Sequence, residues 1–416
     1  MRDIALFAFA FGLIPFILRH AFIGVLAWSW VSYMNPHRLT WGAAYDFPFA
    51  QMMALTLLVA LLFNREAKRF PLNTLMVFWV VFLLWTTFTS WWAIYPDEAW
   101  SYHTQVLKIQ LILFLALWMM GSEKRINLMV WVIFLSIGFF GIKGGIFTFL
   151  TGGGGRIFGP AGSFIADNNH LAVALLMIIP LGFYLSHYQL QKKSHKLLMI
   201  FGIVLITASV IGSFSRGAFL AIAAVGLYLW WKSPGKMLSG TLGVLILAGM
   251  IMMMPAYWTE RMQTISTYEQ DESAMGRLNS WQYSINLANQ RFSGGGYLSW
   301  SRETFERWAP NPDDVKVAHS IYFAVLADHG WPGLLLFLMI FVQGWLIAGR
   351  ISRAVRQHGT DQDQWIAGLA EMIKVSLVAY AVGGAFLSLA YFDLPWHLLA
   401  LLVLIQAQAQ QRGVMA

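Results

Sequence analysis

LLMIFGIVLITASVIGSFSRGAFLAIAAVGLYLWWK, residues 197–232, decides the fold. Two apolar runs flank a tight turn whose only charge is Arg216, and neither alternates polar with apolar residues as a barrel strand would. Each approaches the roughly 20 residues that a helix needs to cross a hydrocarbon core of about 30 Å. Working outward, comparable segments lie near residues 4–34, 47–63, 74–94, 105–121, 127–149, 169–187, 239–257, 320–348, 366–390 and 394–411. Composition agrees. Of 416 residues 58% are hydrophobic and 12% charged, where a soluble chain carries about 25% charge. The expectation is an all-α integral membrane protein with about 12 transmembrane helices, forming a single polytopic domain over 1–416. Within 4–34, Pro15, Arg19 and His20 allow either one span or two short helices. The segment has no small-residue cleavage site and reads as a retained span.

The absence of Cys excludes disulfides and thiolate chemistry. A formal net charge of +8 invites a nucleic-acid partner, but the basic residues gather in short loops between spans, where they report topology, so no nucleic acid is expected. Arg65, Lys68 and Arg69; Lys124 and Arg125; Lys192, Lys193 and Lys196; Lys232 and Lys236; and Arg350, Arg353 and Arg356 occupy alternate loops, which the positive-inside rule makes cytoplasmic. The C-terminus is then cytoplasmic, and the N-terminus too if 4–34 crosses once. The other loops face outward, among them a long polar island at residues 258–319 inserted between two spans.

On that outer side, basic residues are not needed for topology. Arg216 sits at the membrane boundary, where a guanidinium either snorkels to headgroups or clamps a phosphate. Arg277 lies in GRLNSWQYSINLANQRF, a helical pattern ending near Arg291; it is either a solvated charge paired with Asp271 or Glu272 or a second anion ligand. Gly294–Gly296 supply a turn or an amide nest, and Arg156 closes the glycine run 152–155, a flexible outer loop able to touch phosphate. His319 opens an apolar segment beside Ser320; its imidazole can take a proton from a hydroxyl, or simply cap a helix. His329 reads as lying on the opposite side, or in a helix break before Pro332, and not as catalytic. Trp258, Tyr283, Tyr297 and Trp300 are sugar platforms or interfacial belt residues. Asp313, Asp314, Glu303 and Glu306 have no cation-loop spacing and read as a charge-mixed surface, so no metal or other cofactor is expected.

SFSRG at a span end, GRLNSW, a glycine turn and AHSIYFAVLADHGWPG together resemble the O-antigen ligase and polymerase superfamily. GGGGRIFGPAGSFIADNNHLAVALLMIIPL and NPHRLTWG look like its members from exosortase-associated polysaccharide systems. The resemblance covers most of the chain. It implies a helical fold related to the C-type membrane glycosyltransferases and an inverting, metal-independent enzyme in the bacterial inner membrane, among membrane lipids, with its site facing the periplasm. Such an enzyme takes a glycan from undecaprenyl diphosphate and passes it to lipid A–core oligosaccharide, to another carrier-linked repeat, or to protein hydroxyls. Arg216 and Arg277 match the family's arginines and His319 its histidine, which makes these three the expected catalytic set, with Arg291, Arg156, Ser320 and Tyr297 as further substrate contacts. Ser320 in place of the frequent Asn, and His329 beside Gly330, leave the subgroup open. The rival reading is a transporter of a lipid-linked substrate, favoured mainly by Lys143 among glycines within a span.

Overall fold

The computed structural model describes residues 1–63, 70–233, 235–252, 254–256 and 272–415. Arg65, Lys68, Arg69, Trp258 and Asp271, and the first part of the expected island, lie outside the described residues. The rest is helical, with no strand among the described residues. In chain order the helices are α1 (Arg2–Arg19), α2 (Ala21–Met34), α3 (Phe49–Phe63), α4 (Thr74–Trp91), α5 (Pro96–Met119), α6 (Glu123–Thr151), α7 (Asn168–Tyr184, extended by a π turn Leu185–Gln189), α8 (Lys193–Ile211), α9 (Arg216–Lys232) and α10 (Lys236–Met252). They continue with α11 (Glu272–Gln290), α12 (Arg302–Trp308), α13 (Ile321–His358), α14 (Gln364–Gly384) and α15 (Asp393–Gln411). Each expected apolar segment contains helix, and among the described residues seven helices are long and apolar enough to cross a membrane: α4, α5, α6, α7 with its π turn, α8, α13 and α14 with the short turn before it. The apolar α2 and α3 are shorter. The chain is an all-α, multi-pass membrane protein.

Side-chain contacts divide the loops between two faces. Residues 4–34 form two helices broken at His20, whose extended backbone starts a new N-terminus. They run antiparallel. Asp3 Oδ1 accepts from the amides of Gly42 and Ala44, each at 3.1 Å, while the tip of the hairpin, at Phe22, meets the Arg125 guanidinium 4.3 Å above its ring. Arg2 and Asp3 therefore share a face with residues 35–48. That corrects the placement of the N-terminus beside the C-terminus, which depended on a single crossing. The C-terminal Arg412 instead pairs with Glu123 at 2.7 Å and Asp363 at 3.0 Å, on the face of the basic loops.

Packing inside the bundle relies on small residues. Along α6, Gly141 and Gly145 lie one turn apart on the face turned to α8, and a Cβ on Gly145 would overlap the Leu205 carbonyl. Close backbone approach of this kind is how helices associate where lipid removes the hydrophobic incentive. Lys143, between them in sequence, is exposed.

The most consequential irregularity is in α13, where Gly330 takes φ 66° and breaks the helix. Pro332 has no N–H for the Asp328 carbonyl, and the break removes the donors for Ala327 and His329 as well. Three outside donors replace them: Gly295 N–H to Ala327 at 2.7 Å, Gly296 N–H to Asp328 at 2.9 Å, and the Trp85 indole to His329 at 2.9 Å. Two of the three turn glycines thus spend their amides on helix carbonyls. The 294–296 turn is a bracket holding the island onto the bundle.

Candidate active site

One strap carries the site. Residues 311–318 run along α11, fixed by a ladder of side chains from consecutive positions of that helix. Asn279 donates to the carbonyls of Asn311 at 2.9 Å and Asp314 at 3.1 Å, and accepts from the Asn311 amide at 2.8 Å. Ser280 donates to Lys316 O at 2.8 Å and the Trp281 indole to Ala318 O at 2.8 Å. Trp281 also stacks on Phe323, 4.8 Å between centroids, pinning the start of α13. Arg277 lies one helical turn before Trp281, on the same side of α11.

The strap delivers His319 in left-handed backbone, φ 44°. For a residue with a Cβ that conformation costs on the order of 1 kcal/mol or more and persists only where the surroundings impose it. Burial is the largest cause lowering the imidazole pKa below its ordinary value, followed by the nearby Arg277 guanidinium and by His170; Asp167 opposes them. His319 is consequently neutral near pH 7 and able to accept a proton. Asp167 and His170 come from the start of α7. Burial pushes the Asp167 carboxyl up, but hydrogen bonds from Asn169, side chain and backbone, hold it below its usual value.

Arg216 is brought to the same region by a different route. Phe214 adopts φ 60°, Ser215 caps α9 by accepting from Ala218 N at 3.2 Å, and Arg216 becomes the first helical residue, half-buried. Asn168 ties this turn to α7, donating to Ser213 O at 2.6 Å. Gly217 packs on Phe386, whose ring is 6.5 Å from that of Trp281. The turn after α8, the start of α7, the end of α14 and the strap thus converge on one face of the bundle, the one opposite Arg412.

The remaining expected contacts are spread over the structure. Arg291 donates from Nε to Gly294 O at 3.1 Å and from an Nη to Trp92 O at 2.8 Å, locking the glycine turn to the end of α4. Arg156 is exposed in the loop after α6, and none of the described contacts joins it to His319. Ser320 is buried beside His319, its hydroxyl unpartnered among the described residues. Tyr297 is buried against the rings of His329, Tyr391 and His103. Tyr283 is also interior, donating to Ser299 O at 2.9 Å and stacking on Phe305. His329 lies in the helix break, where its Nδ1 is 2.6 Å from Thr89 Oγ1; the alternative placement on the opposite side is excluded. Four of the island's carboxylates are paired, Glu306 and Asp313 with Arg302, Glu303 with Arg307, and Asp314 with Lys316, as a charge-mixed surface. Among the described residues no group of three or more His, Asp or Glu side chains is placed to hold a metal.

Two groups near the site carried little signal in the sequence. Asp167 to His170 stand in ADNNH, where a polar cluster opening an apolar helix reads first as an N-cap, and Asp167 does cap α7 by accepting from Asn169 N at 2.8 Å. Asp328 meets Tyr391, 63 positions away, in a 2.8 Å hydrogen bond that no local pattern announces.

A multi-pass helical membrane protein with an imidazole and two guanidiniums gathered on one face is the class that this architecture defines. Residues 201–338 match the family model described as O-antigen ligase, and residues 1–190 match a family of unknown function, DUF5935. The chain carries an O-antigen ligase domain over residues 201–338. No curated protein matches the chain. Arg216, Arg277 and His319 all fall in the ligase stretch, whereas Asp167 and His170 come from the other.

Proposed function

We propose that this protein is an inverting, metal-independent glycosyltransferase of the bacterial inner membrane. It moves a glycan from undecaprenyl diphosphate to lipid A–core oligosaccharide at the periplasmic face, with the 258–319 island as its catalytic loop. The observation that carries the reading is the His319 imidazole, strapped to α11 and kept neutral beside Arg277. In a single displacement the acceptor hydroxyl oxygen bonds to the anomeric carbon as the bond from that carbon to the diphosphate oxygen breaks. His319 takes the hydroxyl proton. The electron pair leaves with the diphosphate, whose charge Arg216 and Arg277 stabilise as bidentate donors. Attack opposite the leaving group inverts the anomeric centre.

The O-antigen ligase domain supports ligase or polymerase chemistry in general, and the choice of lipid A–core is the finer part of the proposal. The test is transfer by purified protein from a defined undecaprenyl diphosphate glycan, with EDTA present, to lipid A–core or to a second carrier-linked glycan. Product on lipid A–core supports the ligase, whereas chain extension alone makes the protein a polymerase. His319→Ala is expected to lower kcat by about 10²-fold or more with the fold retained. Turnover near that of the wild type would remove His319 from the base role.

A further inference from the structure

Next to His319 the fold encloses a second feature that transfer chemistry alone does not explain. A cavity of about 170 Å³ has Val317 and Ala318 of the strap in its wall. Its mouth is at Leu298 and Val317, 48% and 41% exposed, and its floor is at Asp328 and Tyr297, 4% and 1% exposed. The floor is chemically incomplete. Tyr391 donates to Asp328 Oδ2 at 2.8 Å, but Asp328 Oδ1 has no hydrogen-bond partner among the described residues, nor has the Ser388 hydroxyl in the same lining. Buried polar atoms in native proteins are nearly always satisfied, so an unmatched carboxyl oxygen on a residue that lines a cavity marks a place for a donor.

The shape narrows the donor. At roughly 30 Å³ per water the space equals about five or six waters, too little for an oligosaccharide or a lipid chain but on the scale of one sugar ring. Trp300, Tyr102 and Tyr297 supply aromatic surface, while the floor supplies acceptors. That pairing matches a pyranose, which has apolar C–H faces and a hydroxyl rim.

We propose that this cavity is a monosaccharide subsite, with ring hydroxyls donating to Asp328 Oδ1 and bonding to Ser388. A ring held there abuts the backbone of Ala318 and so sets the sugar relative to His319. The proposal rests on the glycosyl-transfer reading, and the ring comes from either the donor glycan or the acceptor.

The experiment uses the full chain in lipid nanodiscs and compares wild type, Asp328→Asn, Ala324→Leu, which fills the cavity, and His319→Ala. Steady-state transfer is measured against varied donor and varied acceptor. Thermal unfolding confirms that each variant is folded. Asp328→Asn and Ala324→Leu are expected to raise one KM by on the order of 10-fold or more, with the larger share of the effect in KM. A rise in the donor's KM assigns the ring to the donor, and a rise in the acceptor's KM to the acceptor. Folded variants with wild-type KM for both substrates overturn the subsite and leave a water-filled cavity, while the transfer reading stands. Raised KM values alongside a fully active His319→Ala would keep the subsite and remove the base assignment. A wild type that transfers to no acceptor overturns both.

Discussion

At His319 two opposing demands meet. A base must be neutral to accept a proton, yet a site for a diphosphate must be strongly positive. On the proposed reading both are met, because burial first and then the Arg277 guanidinium, the proposed anion ligand, hold the imidazole pKa below its ordinary value. The sign of the pH dependence follows: His319 is deprotonated and active at neutral pH, and kcat/KM falls on acidification through a pKa lying below about 6.5. His170 contributes to the depression, so His170→Gln is expected to move the acid limb toward higher pH; measured profiles with unchanged limbs would dissociate the two histidines. Arg216, Arg277 and His319 were legible as residue types with a shared side. Asp167 and His170 were not, because a helix cap and an active-site neighbour have the same local sequence, and their proximity to His319 depends on how α7 packs.

At the level of elements, positions are set by exchanges between helix carbonyls and distant donors. Trp281 is the clearest case, since its indole holds the carbonyl that immediately precedes His319. Trp281→Phe is expected to lower kcat about 10-fold with little change in KM, because misplacing a catalytic group penalises the transition state more than binding. A loss of stability with kcat intact would leave Trp281 a purely structural residue. The α6–α8 contact depends on Gly145 in the same way that the strap depends on Trp281. Gly145→Ala forces the new methyl onto the Leu205 carbonyl and is expected to destabilise the protein by about 1–3 kcal/mol in chemical unfolding, with KM for either substrate unaltered in the folded fraction. The break at Gly330 was partly readable, since Gly followed two residues later by Pro interrupts a helix. The donors that repair it, Gly295, Gly296 and Trp85, come from remote segments and were not.

Across the whole molecule, two faces separate the basic loops and the C-terminal Arg412 from the site and the residue-2 end of α1. The lack of any native Cys allows a direct test of this division. With the proposed periplasmic orientation of the site, single replacements Trp41→Cys and Val315→Cys should react with a membrane-impermeant maleimide in intact cells, and Gln362→Cys only after permeabilisation. Labelling of Trp41→Cys only after permeabilisation would return the first segment to a single crossing. The sequence by itself determined that the chain is helical and lies in a membrane, because apolar runs of spanning length leave the backbone no partner but itself. It also marked the polar island, the span-end arginine and the histidine as candidates, since charge is costly at a membrane boundary without a purpose. Only the tertiary structure decided that residues 4–34 are a hairpin, that Arg291 and the glycine turn are structural clamps, that Tyr297 faces an interior cavity, and that Asp167 and His170 adjoin His319. These depend on pairings between segments tens to hundreds of positions apart, and side-chain periodicity records which face of a helix is apolar, not which neighbour that face meets.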